Sequence, residues 1–122
     1  MLSIGIYSEC EETISLLKKS LQDFLISIKM MAKVSYFNDS ETFITTPGSY
    51  DVYFMDLDTA TIDVIDLGKK MKKIDRGSRF ICISNDDSKA RLVTKAHLDY
   101  FISKPVDIEE LIEILMEIKK DV

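Results

Sequence analysis

Short apolar runs alternate along this chain with longer segments in which apolar residues recur every three or four positions. A short apolar run without helical spacing is typical of a strand that is buried on both faces. Such runs predict five strands, at residues 2–7, 34–37, 51–56, 79–84 and 100–103.

The segments between the runs have the spacing of helices with one apolar face. In the first segment this face is formed by Ile14, Leu17, Leu21, Phe24 and Ile28. Ser8, followed three residues later by Glu11, matches a capping box and predicts the start of this helix.

Further helices are predicted along the rest of the chain. A brief one is capped by residues 38–39 and runs through residue 45. A helix over about 63–74 turns inward Ile65, Met71 and Ile74. The polar stretch 85–88 opens the next helix. Asp107 and Glu110 cap the last one, whose core face consists of Ile108, Leu111, Ile112, Leu115 and Ile118.

Strands that alternate with helices imply right-handed crossovers and a parallel sheet. In 122 residues this pattern predicts a single α/β domain, residues 1–122. The expected architecture is the flavodoxin-like (βα)5 fold, a doubly wound parallel five-stranded sheet in the strand order 2-1-3-4-5. Ligands of such sheets bind beyond the carboxyl ends of the strands, at the switch between the first and third strands.

Composition narrows the classes of protein that fit this fold. Hydrophobic residues make up 46% of the chain and charged residues 30%, which is typical of a globular domain rather than a disordered or membrane-spanning one. The formal net charge of −5 argues against broad binding to nucleic acid or to an anionic membrane. Cys10 and Cys82 are too few for a disulfide framework, so a reducing cytoplasm is the expected location.

Polar side chains follow the predicted strands at the edge where ligands are expected. We call these residues the rim: Ser8 and Glu9, Asp56 and Asp58, Ser84 and Asn85, and Lys104 with Pro105. Glu9, Asp56 and Asp58 supply oxygen ligands of the kind that suits Mg²⁺. A bound Mg²⁺ would also relieve the repulsion among clustered carboxylates.

The rim also fits phosphoryl transfer. The carboxylate of Asp56 can act as a nucleophile and form an aspartyl phosphate. The oxygens of the transferred group then need positive charge and hydrogen-bond donors, which Mg²⁺, Lys104 and Ser84 would supply. The sequence therefore predicts Asp56 as a phosphoryl acceptor that Ser84 and Lys104 assist.

Three rim residues also have simpler structural explanations. Ser8 is expected to be the N-cap of the first helix rather than a site residue. Glu9 fits equally well as a first-turn acid stabilised by the helix dipole or as a metal ligand. Asp58 is either a turn residue or a ligand through its backbone carbonyl.

Three segments together resemble a known family. They are residues 50–58 (YDVYFMDLD), 80–84 (FICIS) and 99–105 (DYFISKP). With these spacings the chain is similar, over essentially its whole length, to the receiver domain of two-component response regulators. The resemblance implies that Asp56 is the phosphoacceptor, Ser84 the hydroxyl switch residue, Phe101 the aromatic switch residue and Lys104 the family's lysine, and that Pro105 follows a cis peptide bond.

The resemblance also implies partners. Such a domain takes a phosphoryl group from a phosphohistidine on a sensor histidine kinase or phosphotransfer protein, using Mg²⁺. It then rearranges the face formed by the fourth helix, the fifth strand and the last helix, through which it signals to an effector domain or downstream protein, or forms a homodimer. Any phosphorylation or dephosphorylation that the domain carries out acts on itself, so it is not expected to be an enzyme. Direct binding to nucleic acid or membranes is not expected either.

The sequence departs from the family's pattern in several places. The acidic pair after the first strand is Ser8 and Glu9, while Ala60, Val64 and Asn85 replace the usual proline, glycine and small residue. The loss of one carboxylate weakens the expected Mg²⁺ site. These changes favour an alternative, a receiver-like interaction module that works without phosphate. A flavin-binding protein of similar topology is disfavoured, because the loop at residues 8–11 is acidic and lacks glycine.

Overall fold

A computed structural model describes residues 2–29, 31–46, 48–58 and 62–121. Within these ranges the strands are β1 (Leu2–Tyr7), β2 (Ala32–Phe37), β3 (Val52–Asp56), β4 (Arg79–Ser84) and β5 (Tyr100–Ser103). They form one sheet in the order β2-β1-β3-β4-β5, and every neighbouring pair is parallel. The predicted flavodoxin-like fold and its strand order are confirmed.

The helices of the described ranges are α1 (Glu11–Ser27), α2 (Ser40–Phe43), α3 (Val64–Ile74), α4 (Lys89–Lys95) and α5 (Ile108–Asp121). Asp39, Asp63 and Asp107 cap α2, α3 and α5, since each carboxylate accepts a hydrogen bond from a backbone N–H of the first turn. None of these helices is long and apolar enough to cross a membrane.

The sheet separates two apolar layers, as expected of a doubly wound fold. Phe54 lies in one layer with Leu17 of α1 and Leu115 of α5, while its neighbour Met55 lies in the other with Met71 of α3. Each of these side chains is at most 1% exposed. Successive residues of β3 thus anchor helices on opposite faces and hold the last residue of the strand, Asp56, at the carboxyl edge of the sheet.

Two residues predicted to face the core lie on the surface instead. Ile74 is 72% exposed and Ile108 is 49% exposed. They are the last residue of α3 and the first residue of α5. Helical spacing places each residue on the apolar face of its helix, but the core does not cover the end of that face.

The two cysteines differ in exposure, which predicts a difference in reactivity. Cys10 is exposed, and hydrogen bonds from Thr13 lower the pKa of its thiol. Cys82 is buried in β4, and burial raises the pKa of its thiol. We expect iodoacetamide to alkylate Cys10 in the native protein and Cys82 only after denaturation, because the thiolate is the reactive form. Peptide mapping by mass spectrometry checks this, and alkylation of native Cys82 would contradict it.

Candidate functional site

The carboxyl ends of β1, β3, β4 and β5 meet at one edge of the sheet. Backbone hydrogen bonds align these ends: the Leu57 N–H donates to the Ile83 carbonyl at 2.9 Å, and the Lys104 N–H donates to the Ser84 carbonyl at 2.8 Å. Most rim side chains consequently belong to one connected network, which consists of Ser8, Asp56, Lys104, Asp58 and Ser84.

Asp56 ends β3 and lies at the centre of this network, with only 2% of its surface exposed. Its Oδ2 accepts a hydrogen bond from Ser8 Oγ at 2.7 Å. Its Oδ1 accepts one from Lys104 Nζ at 2.8 Å and one from the backbone N–H of Asp58 at 3.0 Å. A buried carboxylate is stable only when it is paired and hydrogen-bonded, and here both oxygens meet that condition.

Ser8 is a site residue and not the helix cap predicted from the sequence. The N-cap of α1 is Cys10. The helix begins at Glu11, so Ser8 still lies at the end of the strand, fully buried, with its hydroxyl directed at Asp56. The Ser8 hydroxyl oxygen also accepts a hydrogen bond from the Cys10 N–H at 3.1 Å. A hydroxyl therefore lies where the family's pattern has a carboxylate.

Glu9 does not have the helix-dipole role predicted for it, and its role as a metal ligand stays a prediction. It precedes α1, whose first-turn acids are Glu11 and Glu12, so the helix-dipole explanation is wrong. Its Oε2 accepts a hydrogen bond at 2.8 Å from the hydroxyl of Tyr7, and the residue is exposed. The structure thus directs this carboxylate to Tyr7.

Asp58 provides the largest departure from the sequence-based expectation, because its side chain turns into the site. Its Oδ1 accepts a hydrogen bond from Ser84 Oγ at 2.6 Å. Its Oδ2 accepts one from the backbone N–H of Asn85 at 2.8 Å and lies 3.0 Å from Lys104 Nζ. Burial acts to raise the pKa of Asp58, but the hydrogen bonds from Ser84, Asn85 and Lys104 outweigh it and lower the pKa below its usual value.

Lys104 joins the two carboxylates. Its Nζ contacts Asp56 Oδ1 at 2.8 Å and Asp58 Oδ2 at 3.0 Å, and its side chain is 19% exposed. Burial acts to lower the pKa of Lys104, but its bonds to Asp56 and then Asp58 raise it. Lys104 is therefore held as a cation. The peptide bond between Lys104 and Pro105 is cis.

Two of the three residues predicted to bind Mg²⁺, Asp56 and Asp58, are paired with lysines in this structure. The ammonium group of Lys104 lies between the carboxylates of Asp56 and Asp58, and that of Lys89 lies 3.7 Å from Asp58. The two negative charges are thus already balanced, and hydrogen-bond donors occupy their oxygens. Across the part of the chain that the structure describes, no three His, Cys, Asp or Glu side chains are grouped to hold a metal ion.

The remaining predicted residues lie around this network. Phe101, on β5, is partly buried and packs against the apolar layer that contains Met71. Asn85 is exposed, and its backbone N–H serves Asp58. Val64 is buried at the start of α3, whereas Ala60 lies outside the described residues.

Comparison with solved structures shows which known domains share this fold. A two-component response regulator from Clostridium difficile has a TM-score of 0.82 at 18% identity, over 98% of this chain and 97% of that one. The chain has the fold of response-regulator receiver domains. The chemotaxis protein CheY4 of Vibrio cholerae has a TM-score of 0.79 at 13% identity, over 97% of this chain and 98% of that one.

A third structural neighbour is assigned to a different cellular process. CpaE from Burkholderia thailandensis, assigned to pilus assembly, has a TM-score of 0.79 at 15% identity, over 98% of this chain and 99% of that one. No protein-family model matches the sequence, and the search of curated proteins also gives no match. At these identities the likeness establishes the fold and not the function.

Proposed function

We propose that this chain is a cytoplasmic signalling receiver that accepts a phosphoryl group on Asp56 from a sensor histidine kinase or phosphotransfer protein. The observation that carries the proposal is the pair of Asp56 and Lys104, joined at 2.8 Å at the carboxyl edge of a sheet with the receiver strand order. The output surface is the face formed by α4, β5 and α5, which would contact an effector domain, a downstream protein or a second copy of the chain.

The proposed reaction joins Asp56 to phosphorus. A carboxylate oxygen of Asp56 attacks the phosphorus of the donor's phosphohistidine, and the new P–O bond forms as the P–N bond breaks. The imidazole leaves with the bonding electrons and takes up a proton from solvent. Lys104 would balance the negative charge on the phosphoryl oxygens, and the hydroxyl of Ser84 would donate a hydrogen bond to one of them.

Incubation with a small-molecule phosphodonor tests this function. We expect the intact mass of the wild-type protein to rise by one phosphoryl group, and the Asp56→Ala variant to stay unmodified. Asp51→Ala is the matched control, because Asp51 precedes β3 while Asp56 ends it. Because Ser8 replaces one carboxylate of the family's acidic pair, we expect Mg²⁺ to accelerate the reaction only weakly. An adduct that persists in Asp56→Ala would contradict the proposal.

A second function is favoured by the contacts of Asp58. Because Ser84 and Lys104 already bind this carboxylate, the chain could act as an interaction module that needs no phosphate. The likeness to a protein assigned to pilus assembly is compatible with such a role. This function predicts that partner binding is unchanged by Asp56→Asn and that the phosphodonor gives no adduct. The phosphoacceptor function predicts the opposite result in both experiments.

A further inference from the structure

The donors that a phosphoryl group on Asp56 would need are already in use. Such a group requires a cation and hydrogen-bond donors directed at its oxygens. Three donors at this edge of the sheet, Lys104 Nζ, Ser84 Oγ and the backbone N–H of Asn85, bind one carboxylate, that of Asp58. The contacts measure 3.0, 2.6 and 2.8 Å respectively.

We propose that Asp58 is the resident anion of this site: its carboxylate takes the place of the phosphoryl group and must move out before Asp56 is phosphorylated. This inference rests on the proposed phosphoacceptor function and adds the residue that regulates it. Asp58 holds Ser84 toward the acidic centre of the rim, as a phosphoryl group would. The hydroxyl switch is therefore already engaged in the unmodified protein.

The number and kind of the contacts distinguish this role from that of an ordinary ion pair. A structural pair with Lys104 would need only one oxygen of Asp58. Instead, both oxygens are used, and they collect a hydroxyl, a backbone N–H and an ammonium group from β4 and the segments that follow β4 and β5. Hydrogen bonds to a charged group are stronger than those between neutral groups. Together the three donors form an anion-binding site, which Asp58 occupies.

A phosphoryl group can still displace Asp58. It has three acceptor oxygens and more negative charge than a carboxylate, so it competes well for the same donors once it is bound to Asp56. The Asp58 side chain is 16% exposed, which means that it reaches solvent and has a direction in which to move. Asp58 would therefore slow phosphorylation and reduce the change in the switch, while leaving the reaction possible.

Titration with inorganic phosphate, followed by the backbone amide signals of Ser84 and Asn85 in ¹H–¹⁵N NMR spectra, tests the inference without any covalent chemistry. We expect Asp58→Ala to free these donors and to bind phosphate at least about tenfold more tightly than the wild type. Asp66→Ala is the matched control, since it removes an acid from the exposed surface of α3 and should bind phosphate like the wild type. If the wild type and Asp58→Ala respond equally, or if neither responds, the inference is wrong.

Two further measurements make the result unambiguous. Asp58→Asn keeps the size of the side chain and removes its charge, so it replaces Asp58→Ala if that variant does not fold. Reaction with the phosphodonor then separates the two claims. Phosphate binding by Asp58→Ala without an adduct on Asp56 would support the role of Asp58 as the resident anion and would contradict the phosphoacceptor function. Equal phosphate binding by the wild type and Asp58→Ala, together with a normal adduct on Asp56, would support the phosphoacceptor function and rule out Asp58 as the resident anion.

Discussion

Replacing Lys104 with Met is expected to lower the free energy of unfolding by about 3 kcal/mol, because it leaves two neighbouring carboxylates without their shared cation. Asp56 is 2% exposed, so water cannot take over the role of the ammonium group there. Asp58 keeps its bonds to Ser84 and Asn85 but loses its contact with Lys104 at 3.0 Å. Chemical denaturation of the wild type and the variant measures this difference.

The control for this prediction is Lys119→Met, which removes an exposed lysine from the last turn of α5. Its effect should stay within about 0.5 kcal/mol. The double variant Lys104→Met with Asp56→Asn should recover part of the lost stability, since residues in direct contact are not additive. A loss in Lys104→Met no larger than that of the control would mean that the network does not hold the rim together.

Replacing Ser8 with Asp is expected to make the stability of the protein depend on Mg²⁺. The new carboxylate would lie beside Asp56 Oδ2, which the Ser8 hydroxyl now contacts at 2.7 Å in a fully buried position. Without metal, the added buried charge should lower the melting temperature by roughly 10 °C. With millimolar Mg²⁺, the restored pair of acids should bind the ion and recover most of the loss.

Thermal unfolding with and without Mg²⁺, at matched ionic strength, checks this second prediction. Ser8→Asn is the control, because it has nearly the size of Asp and no charge, and it should not respond to Mg²⁺. The wild type should respond less than Ser8→Asp, since its rim has one carboxylate fewer. A wild-type melting temperature that rises with Mg²⁺ as much as that of Ser8→Asp would contradict our description of the rim.

The sheet could be predicted from the sequence because its determinants are local. The runs at residues 2–7, 79–84 and 100–103 match β1, β4 and β5 in both bounds. The residues that follow a parallel strand must lie at its carboxyl edge, so Asp56 and Lys104 could be assigned to one site before their distance was known. Their separation of 2.8 Å agrees with this reasoning.

The roles of Ser8 and Asp58 could not be predicted, because a polar side chain near a strand end has several possible partners. Ser8 and Glu11 form a capping pattern, but α1 begins at Glu11, which leaves Ser8 in the site. Asp58 could have faced solvent as a turn residue. It turns inward because the hydrogen bonds from Ser84, Asn85 and Lys104 stabilise its carboxylate more than water does. These three donors come together only in the folded sheet.

The most direct test of the whole account is the rate at which Asp56 is phosphorylated when Asp58 is present or absent. Time courses of intact mass with a small-molecule phosphodonor should be recorded for the wild type, Asp58→Ala and Asp56→Ala. We expect one phosphoryl group on the first two proteins, a faster reaction in Asp58→Ala by about tenfold, and no reaction in Asp56→Ala. The absence of an adduct in both the wild type and Asp58→Ala would contradict it.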